Sequence, residues 1–376
     1  MPSAASAWVE SLSPWPEEFG LRRMKALLAR LGHPERQVQA IHVVGTNGKS
    51  TTTRMIEALL LAEGVLAGAY VSPHVVRWSE RIRVGGEEAD FERAIARIRP
   101  AAEEVGATQF EALTAAALAE FAAAGATVAA VEAGLGGRLD ATNVLETVTV
   151  VLTNVGLEHT DVLGSTRAAI AAEKLAVVKP ACGVVLGEPE WEELARACGA
   201  AEVVVEPGGN LALARAAVES FFGFAVDSGP ARAVALPGRL EVVGEEPLEL
   251  WDGAHNADGV RWLLRELPER DFVLVASILA DKDVDEMLRL FSRRASRLVA
   301  TASQNPRALP AGELARRAEP FFESVEAQAA PASAIERARE VAGLSGAILV
   351  SGSLYLLAEL AAVRPTGLPW ERSASE

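Results

Sequence analysis

Ile41 to Thr53, IHVVGTNGKSTTT, decides how the rest of the chain is read. Ile41 to Val44 is a short, largely β-branched run, Gly45-Thr46-Asn47-Gly48 is a turn, and from Ser50 polar residues give way to a helical apolar pattern. The segment therefore reads as a strand, a loop and a helix N-terminus. Such a loop suits phosphate. Gly45 and Gly48 let backbone N–H groups close on phosphate oxygens, Lys49 reaches the terminal phosphates, and a hydroxyl at Ser50 or Thr51 can meet magnesium. The strict G-x-x-x-x-G-K-[ST] spacing is not kept, because Val43 stands where its first glycine belongs.

A chain of 376 residues, half of them hydrophobic, has enough material for two domains with sizeable cores. The formal charge of −15 argues against a nucleic-acid surface, so an enzyme of phosphates must gather its few cations in the site. Only Cys182 and Cys198 are present, in neither a C-x-x-C nor a zinc spacing, which fits a reducing compartment. MPSAASAWVE lacks a basic segment with an apolar core behind it, and no apolar run is long enough to span a bilayer. The expectation is a cytoplasmic protein without membrane or nucleic-acid partners.

Outward from the loop, Phe19 to Leu31 carries apolar residues at helical spacing and ends at Gly32. Val65 to Val71 reads as a strand that delivers Ser72 and His74 to the carboxyl end of the sheet, where they face the phosphates. Phe91–Glu104 and Phe110–Ala124 read as helices. Thr127 to Glu132 is a buried strand ending in an acid, and a carboxylate placed there beside a phosphate loop can hold a nucleotide magnesium. AGLGGRLDATN follows, with Arg138, Asp140 and Asn143 as its polar groups. Val148 to Val155 is the next strand and leads to Glu158-His159, and Thr166 to Val178 is a helix containing Lys174. A free ammonium there could not ligate a metal, and His159 is a borderline ligand for magnesium. Gly229-Pro230 and Pro237-Gly238 bracket a boundary at 230/231. Beyond it, strands at Leu248–Trp251, Phe272–Leu279, Arg297–Ala302 and Ala347–Ser351 alternate with helices at Asp258–Leu267, Asp285–Ala295 and Gly312–Ala318. The fold expected is α/β: a phosphate-loop domain at 1–230 with a mostly parallel sheet flanked by helices, then a smaller Rossmann-like α/β domain at 231–376.

IHVVGTNGKS, YVSPHVVRWSERI, TQFEALTAAAL, VEAGLGGRLDATN, TNVGLEHTDVLG with a downstream EK, PGRLE, WDGAHNADG and SGSLY occur in this order and span nearly the whole chain. Together they resemble the folylpolyglutamate synthase/dihydrofolate synthase family of the Mur ligase superfamily. The resemblance implies that the first domain binds ATP and the pterin substrate and that the second closes over it. It implies one magnesium at Ser72 and Glu132, and a second at His159, Glu132 and a carbamylated Lys174. It carries Asn210, Arg239 and Asp252 over as nucleotide contacts and places His255 in the same cleft. Thr108, Gln109, Phe110, Glu111, Leu139, Asp140 and Ala141 would face the pterin. Where the family has Gly-Ser or Gly-Thr after the loop lysine, this chain has Ser50-Thr51, which leaves open which hydroxyl meets the metal.

The implied chemistry is ATP-dependent activation of a carboxylate, of dihydropteroate or of a folate, followed by attack of L-glutamate, by a monomeric enzyme. His255 and Lys282 are candidates for completing the site. The competing readings are another Mur-type amide ligase and a nucleotide-driven switch.

Overall fold

The computed structural model describes residues 3–363. The polar tail Glu371–Glu376, set apart in the sequence by its composition, lies outside the described residues. Two compact units part between Val234 and Ala235. The break falls later than the 230/231 expected from the turn residues, because Gly229–Arg232 forms a helical turn whose Ala231 is buried in the first unit's core.

The first unit is built on eight strands: β1 (Gln39–Val44), β2 (Ala67–Tyr70), β3 (Ile82–Val84), β4 (Glu87–Glu88), β5 (Val128–Glu132), β6 (Glu146–Leu152), β7 (Gly183–Leu186) and β8 (Glu202–Val205). Their order across the sheet is β4-β3-β2-β5-β1-β6-β7-β8. At one edge β3 pairs antiparallel with both β2 and β4, and the remaining pairings are parallel. Helices cover both faces, so the central strands are buried on both sides and read as largely apolar runs, interrupted in β1 by His42. Alternate residues serve the two cores. Ala40, Ala129 and Val131 pack toward the helices Arg22–Arg30, Phe91–Val105 and Gln109–Ala124, while Ile41, Val43, Val128 and Ala130 pack toward Lys49–Ala62 and Asn210–Phe222. The helix Gln109–Ala124 is buried from Glu111 to Phe121, which is why it needs so many alanines.

The second unit carries β9 (Glu241–Glu245), β10 (Leu248–Trp251), β11 (Val273–Ala276), β12 (Arg297–Ala300), β13 (Ser324–Ala327) and β14 (Ala347–Ser351), ordered β13-β12-β11-β14-β10-β9. Only β9 is antiparallel to its neighbour. No helix among the described residues is long and apolar enough to cross a membrane.

Two differences from the sequence reading matter below. The strand expected to reach Val155 stops at Leu152, because Thr153 and Asn154 turn aside to bond the phosphate loop. The edge hairpin β3–β4 was not anticipated: its strands are too short for a hydrophobic period, and only Gly85-Gly86 between them signals the turn.

Candidate active site

The chain leaves β1 for β2 on one side of the sheet and later inserts β5 between them, whereas β6 lies on β1's other side. The connections therefore diverge at the carboxyl end of β1, the place where open α/β sheets form their ligand crevice. In register, Val43 lies opposite Glu132 and Val44 opposite Leu152, so the loops after β1, β5 and β6 open side by side.

Gly45 and Gly48 take φ of +150° and +81°, a region that side chains resist. A Cβ at Gly45 would overlap the Thr153 hydroxyl, and one at Gly48 would overlap the Asn210 side-chain oxygen. The helix Lys49–Ala62 begins at Gly48 with no side-chain cap and no acid in its first turn, leaving the positive end of its dipole and its first N–H groups available to an anion. From β6, Asn154 accepts from Asn47 N–H at 3.0 Å and donates to Asn47 C=O at 3.0 Å. Thr153 Oγ1 donates to the same carbonyl at 2.7 Å, and Thr46 Oγ1 accepts from Gly156 N–H at 2.9 Å. Thr153 and Asn154 are the residues that sequence reasoning missed, and polar side chains ending a strand beside the phosphate loop were the available signal. Asn210, expected near the nucleotide, does reach this loop, accepting from Thr52 Oγ1 at 3.4 Å.

Lys49 Nζ lies 3.2 Å from Thr46 C=O and 4.0 Å from Glu132 Oε1. The Glu132 side chain is 2% exposed, and its other oxygen accepts from Ser72 N–H at 2.9 Å. Ser50 is buried and Thr51 half-buried. The hydroxyls of Ser50, Thr51 and Ser72 and the Glu132 carboxylate are hard oxygen donors of the kind magnesium takes. His74 is placed otherwise than expected. It accepts from Arg81 Nε at 2.9 Å and packs 4.3 Å from the Trp78 ring, and burial, then the Arg81 charge, lowers its pKa to about 3.

A small cavity beside the loop is lined by Thr46, Lys49, Gly136, Glu158, His159 and Lys174, among others. Lys174 is buried and donates to Gly45 C=O at 2.7 Å. Burial, then the neighbouring Lys49, lowers its pKa to about 7. Among the described residues no three His, Cys, Asp or Glu side chains cluster as a metal centre. A larger depression of about 360 Å³ on the second unit, lined by Arg261, Arg265, Arg293 and Arg294 with Leu264 and Leu290, contains none of the candidate residues.

At the expected pterin segment, Thr108 and Glu111 form a capping box, and Glu111 also pairs with Arg23 at 2.7 Å. Gln109 donates to Val9 C=O at 3.1 Å. These side chains are committed to holding the helix, and the helix N-terminus is already capped. Phe110 is half-buried, 6.0 Å from the Tyr70 ring. Leu139 is 44% exposed, whereas Asp140 and Ala141 are buried. Arg138 and Asn143 are engaged within the scaffold, by Glu173 at 3.0 Å and Lys179 at 2.6 Å.

In the second unit the buried Asp252 accepts from Leu240 N–H at 2.9 Å and Ala254 N–H at 2.8 Å. Burial pushes its pKa up, with Arg239 opposing. His255 Nδ1 lies 2.8 Å from Gly253 C=O, and the Arg239 guanidinium lies against Gly253. Arg239, Asp252 and His255 thus form one cluster around the carboxyl end of β10. Lys282 lies 3.6 Å from Asp281 in the loop after β11.

The profile of the Mur ligase middle domain matches residues 43–182, and that of the Mur ligase glutamate ligase domain matches residues 238–354. The dihydrofolate synthase/folylpolyglutamate synthase of Bacillus subtilis is 30% identical over 421 aligned positions, covering 95% of this chain and 97% of that protein. The chain belongs to the folylpolyglutamate synthase/dihydrofolate synthase family. Among solved members of the family, Escherichia coli FolC in complex with DHPP and ADP superposes with a TM-score of 0.87 at 30% identity, covering 96% of this chain and 99% of that one. The bifunctional enzyme of Yersinia pestis complexed with AMPPNP and Mn ion gives 0.86 at 31% identity, covering 96% and 99%. The family match to the middle domain starts inside β1 and takes in the phosphate loop, Ser72, Glu132, His159 and Lys174. The match to the glutamate ligase domain takes in Arg239, Asp252 and His255.

Proposed function

We propose that this protein is an ATP-dependent ligase that joins L-glutamate to the carboxylate of dihydropteroate and to the γ-carboxylate of reduced folates. The observation that carries this reading is the length of the match: a relative named for both reactions aligns over 97% of its own sequence. In the chemistry we infer, a carboxylate oxygen of the acceptor attacks the γ-phosphorus of ATP and ADP leaves. The glutamate nitrogen then attacks the acyl carbon, phosphate leaves, and the amine proton passes to solvent. The chain's part is positioning and charge. The N–H groups at the uncapped N-terminus of the helix Lys49–Ala62 hold the phosphates, and Lys49 offsets the negative charge that grows on the transferred group. No side-chain nucleophile is required. Arg239 and Asp252, clustered with His255 at the carboxyl end of β10, are assigned to the nucleotide.

Ser50 or Thr51, Ser72 and Glu132 would hold magnesium, which would supply Lewis-acid stabilisation of phosphoryl oxygens. A second ion is assigned to His159, Glu132 and Lys174, and it requires Lys174 as a carbamate, because the amine donates to Gly45 C=O and an ammonium repels a cation. Carbamylation joins the neutral amine nitrogen to the carbon of CO₂ and releases a proton. With its pKa lowered to about 7, Lys174 is mostly neutral at pH 8 and mostly charged at pH 6. Enzyme stripped of bicarbonate is therefore expected to lose activity and to recover on its addition, faster at pH 8 than at pH 6. Activity indifferent both to bicarbonate and to Lys174→Ala would remove the carbamate.

Steady-state phosphate release with ATP, dihydropteroate or tetrahydrofolate, and radiolabelled glutamate tests the reading. A ligase releases phosphate only when acceptor and glutamate are both present, and label enters the pterin product. A switch hydrolyses ATP without them. Use of both acceptors rests on the pterin side, where Phe110 offers a half-buried ring and Leu139 an exposed apolar side chain. Phe110→Ala is expected to harm the dihydropteroate reaction more than the folate reaction, since the smaller acceptor has no glutamyl tail to make compensating contacts. Equal losses, or no ligation to dihydropteroate by the wild type, would leave a dedicated polyglutamylating enzyme.

A further inference from the structure

His42 is buried in the middle of β1, opposite Val131 of β5 and Val150 of β6. A histidine inside a doubly covered parallel sheet is costly unless it is bonded. Its Nε2 lies 2.8 Å from Thr142 Oγ1, and its Nδ1 has no hydrogen-bond partner among the described residues. The Thr142 hydroxyl donates to Asp140 Oδ1, which also accepts from Thr142 N–H at 3.0 Å, and Asp140 Oδ2 accepts from Leu135 N–H at 2.8 Å. The directions follow from the inventory of protons. The carboxylate accepts, so the hydroxyl gives it its one proton and must receive from His42 Nε2–H. Burial, then the charge of Lys179, lowers the pKa of His42 to about 3, so the ring stays neutral and carries that one proton.

Asp140 is therefore not free to meet a ligand. Its carboxylate ties Leu135 to Thr142 and closes the loop on itself, leaving Leu139 as the side chain displayed. We infer that His42 is a positioning residue for the acceptor, locking the loop Gly134–Ala141 through Thr142 and Asp140 from inside the strand that leads into the phosphate loop. This rests on the proposed acceptor role of Leu139. A histidine is used because Nε2–H stands at the reach the strand requires while the rest of the ring fills apolar space. No aliphatic residue could both fill the space and donate.

The test compares His42→Leu, which keeps the bulk and removes the donor, with His42→Gln, whose amide N–H₂ restores it. Two readouts are taken: KM for dihydropteroate and hydrogen exchange of the amides 134–142. His42→Leu is expected to raise KM for dihydropteroate about fivefold to tenfold, the worth of one buried hydrogen bond, with KM for ATP unchanged. It should also speed exchange in the loop, and His42→Gln should restore both. Thr142→Val should mimic His42→Leu, and the double variant should add little. A merely structural role would lower the folded fraction, and hence kcat, without moving KM. Unchanged KM and unchanged exchange in a folded His42→Leu would overturn the inference. Wild-type protein that fails to use dihydropteroate would sink the functional reading instead. In that case unchanged loop exchange overturns the lock and faster exchange in His42→Leu retains it.

Discussion

Lys49→Ala is expected to lower ligation by about a hundredfold or more while leaving the fold intact. The side chain leaves the first position of the helix Lys49–Ala62 and is half-buried in the crevice, with Thr46 C=O at 3.2 Å and Glu132 at 4.0 Å, and it packs into no apolar core. Removing it deletes a cation that acts mainly when charge builds on the transferred phosphoryl group, so kcat should fall more than nucleotide affinity. Thermal unfolding should move little, because Thr153, Asn154 and the positive φ of its glycines hold the loop beside the single bond from this lysine to Thr46 C=O. Near-normal turnover by the folded variant would take the loop out of the mechanism.

Glu132→Gln is expected to have an effect of similar size and a different signature. The amide oxygen can still accept from Ser72 N–H, so the turn after β2 should survive, but the negative charge that faces Lys49 and is assigned to magnesium is gone. Loss of a charged ligand weakens metal binding, so activity should fall about a hundredfold at low magnesium and recover in part as magnesium is raised. Lys49→Ala should show no such recovery. A Glu132→Gln enzyme with wild-type dependence on magnesium would contradict the assignment.

Much of this was legible in the sequence because strand ends are where chemistry and pattern coincide. The apolar runs at Ile41–Val44 and Thr127–Glu132 declared buried parallel strands, and the polar residues just past them fell into one crevice once the strand order was known. What was not legible was how polar groups near the site are shared out. His74 faces Arg81 and Trp78 in the turn that follows it, and Gln109 bonds Val9 in the helix Ala4–Ser11, a partner distant in sequence. Thr108 and Glu111 cap their own helix, a capping box that TQFE spelled out beside its functional reading. Asn154 was hidden by the β-branched run before it, which made the strand look three residues longer than it is. In the second unit β9, β13 and the helices Pro331–Ala342 and Leu354–Ala362 were missed: β13, for one, is a four-residue edge strand without a β-branched run, and its sequence SVEA gives no period to read.

The central claim is that ATP activates a carboxylate of the acceptor and that glutamate displaces phosphate from it. The most direct test uses dihydropteroate labelled with ¹⁸O in both carboxylate oxygens, with ATP and L-glutamate, and mass analysis of the phosphate released. An acyl phosphate intermediate predicts that each amide formed delivers one labelled oxygen to phosphate and retains the other in the product. Unlabelled phosphate, released at the same rate with or without acceptor and glutamate, would contradict the account.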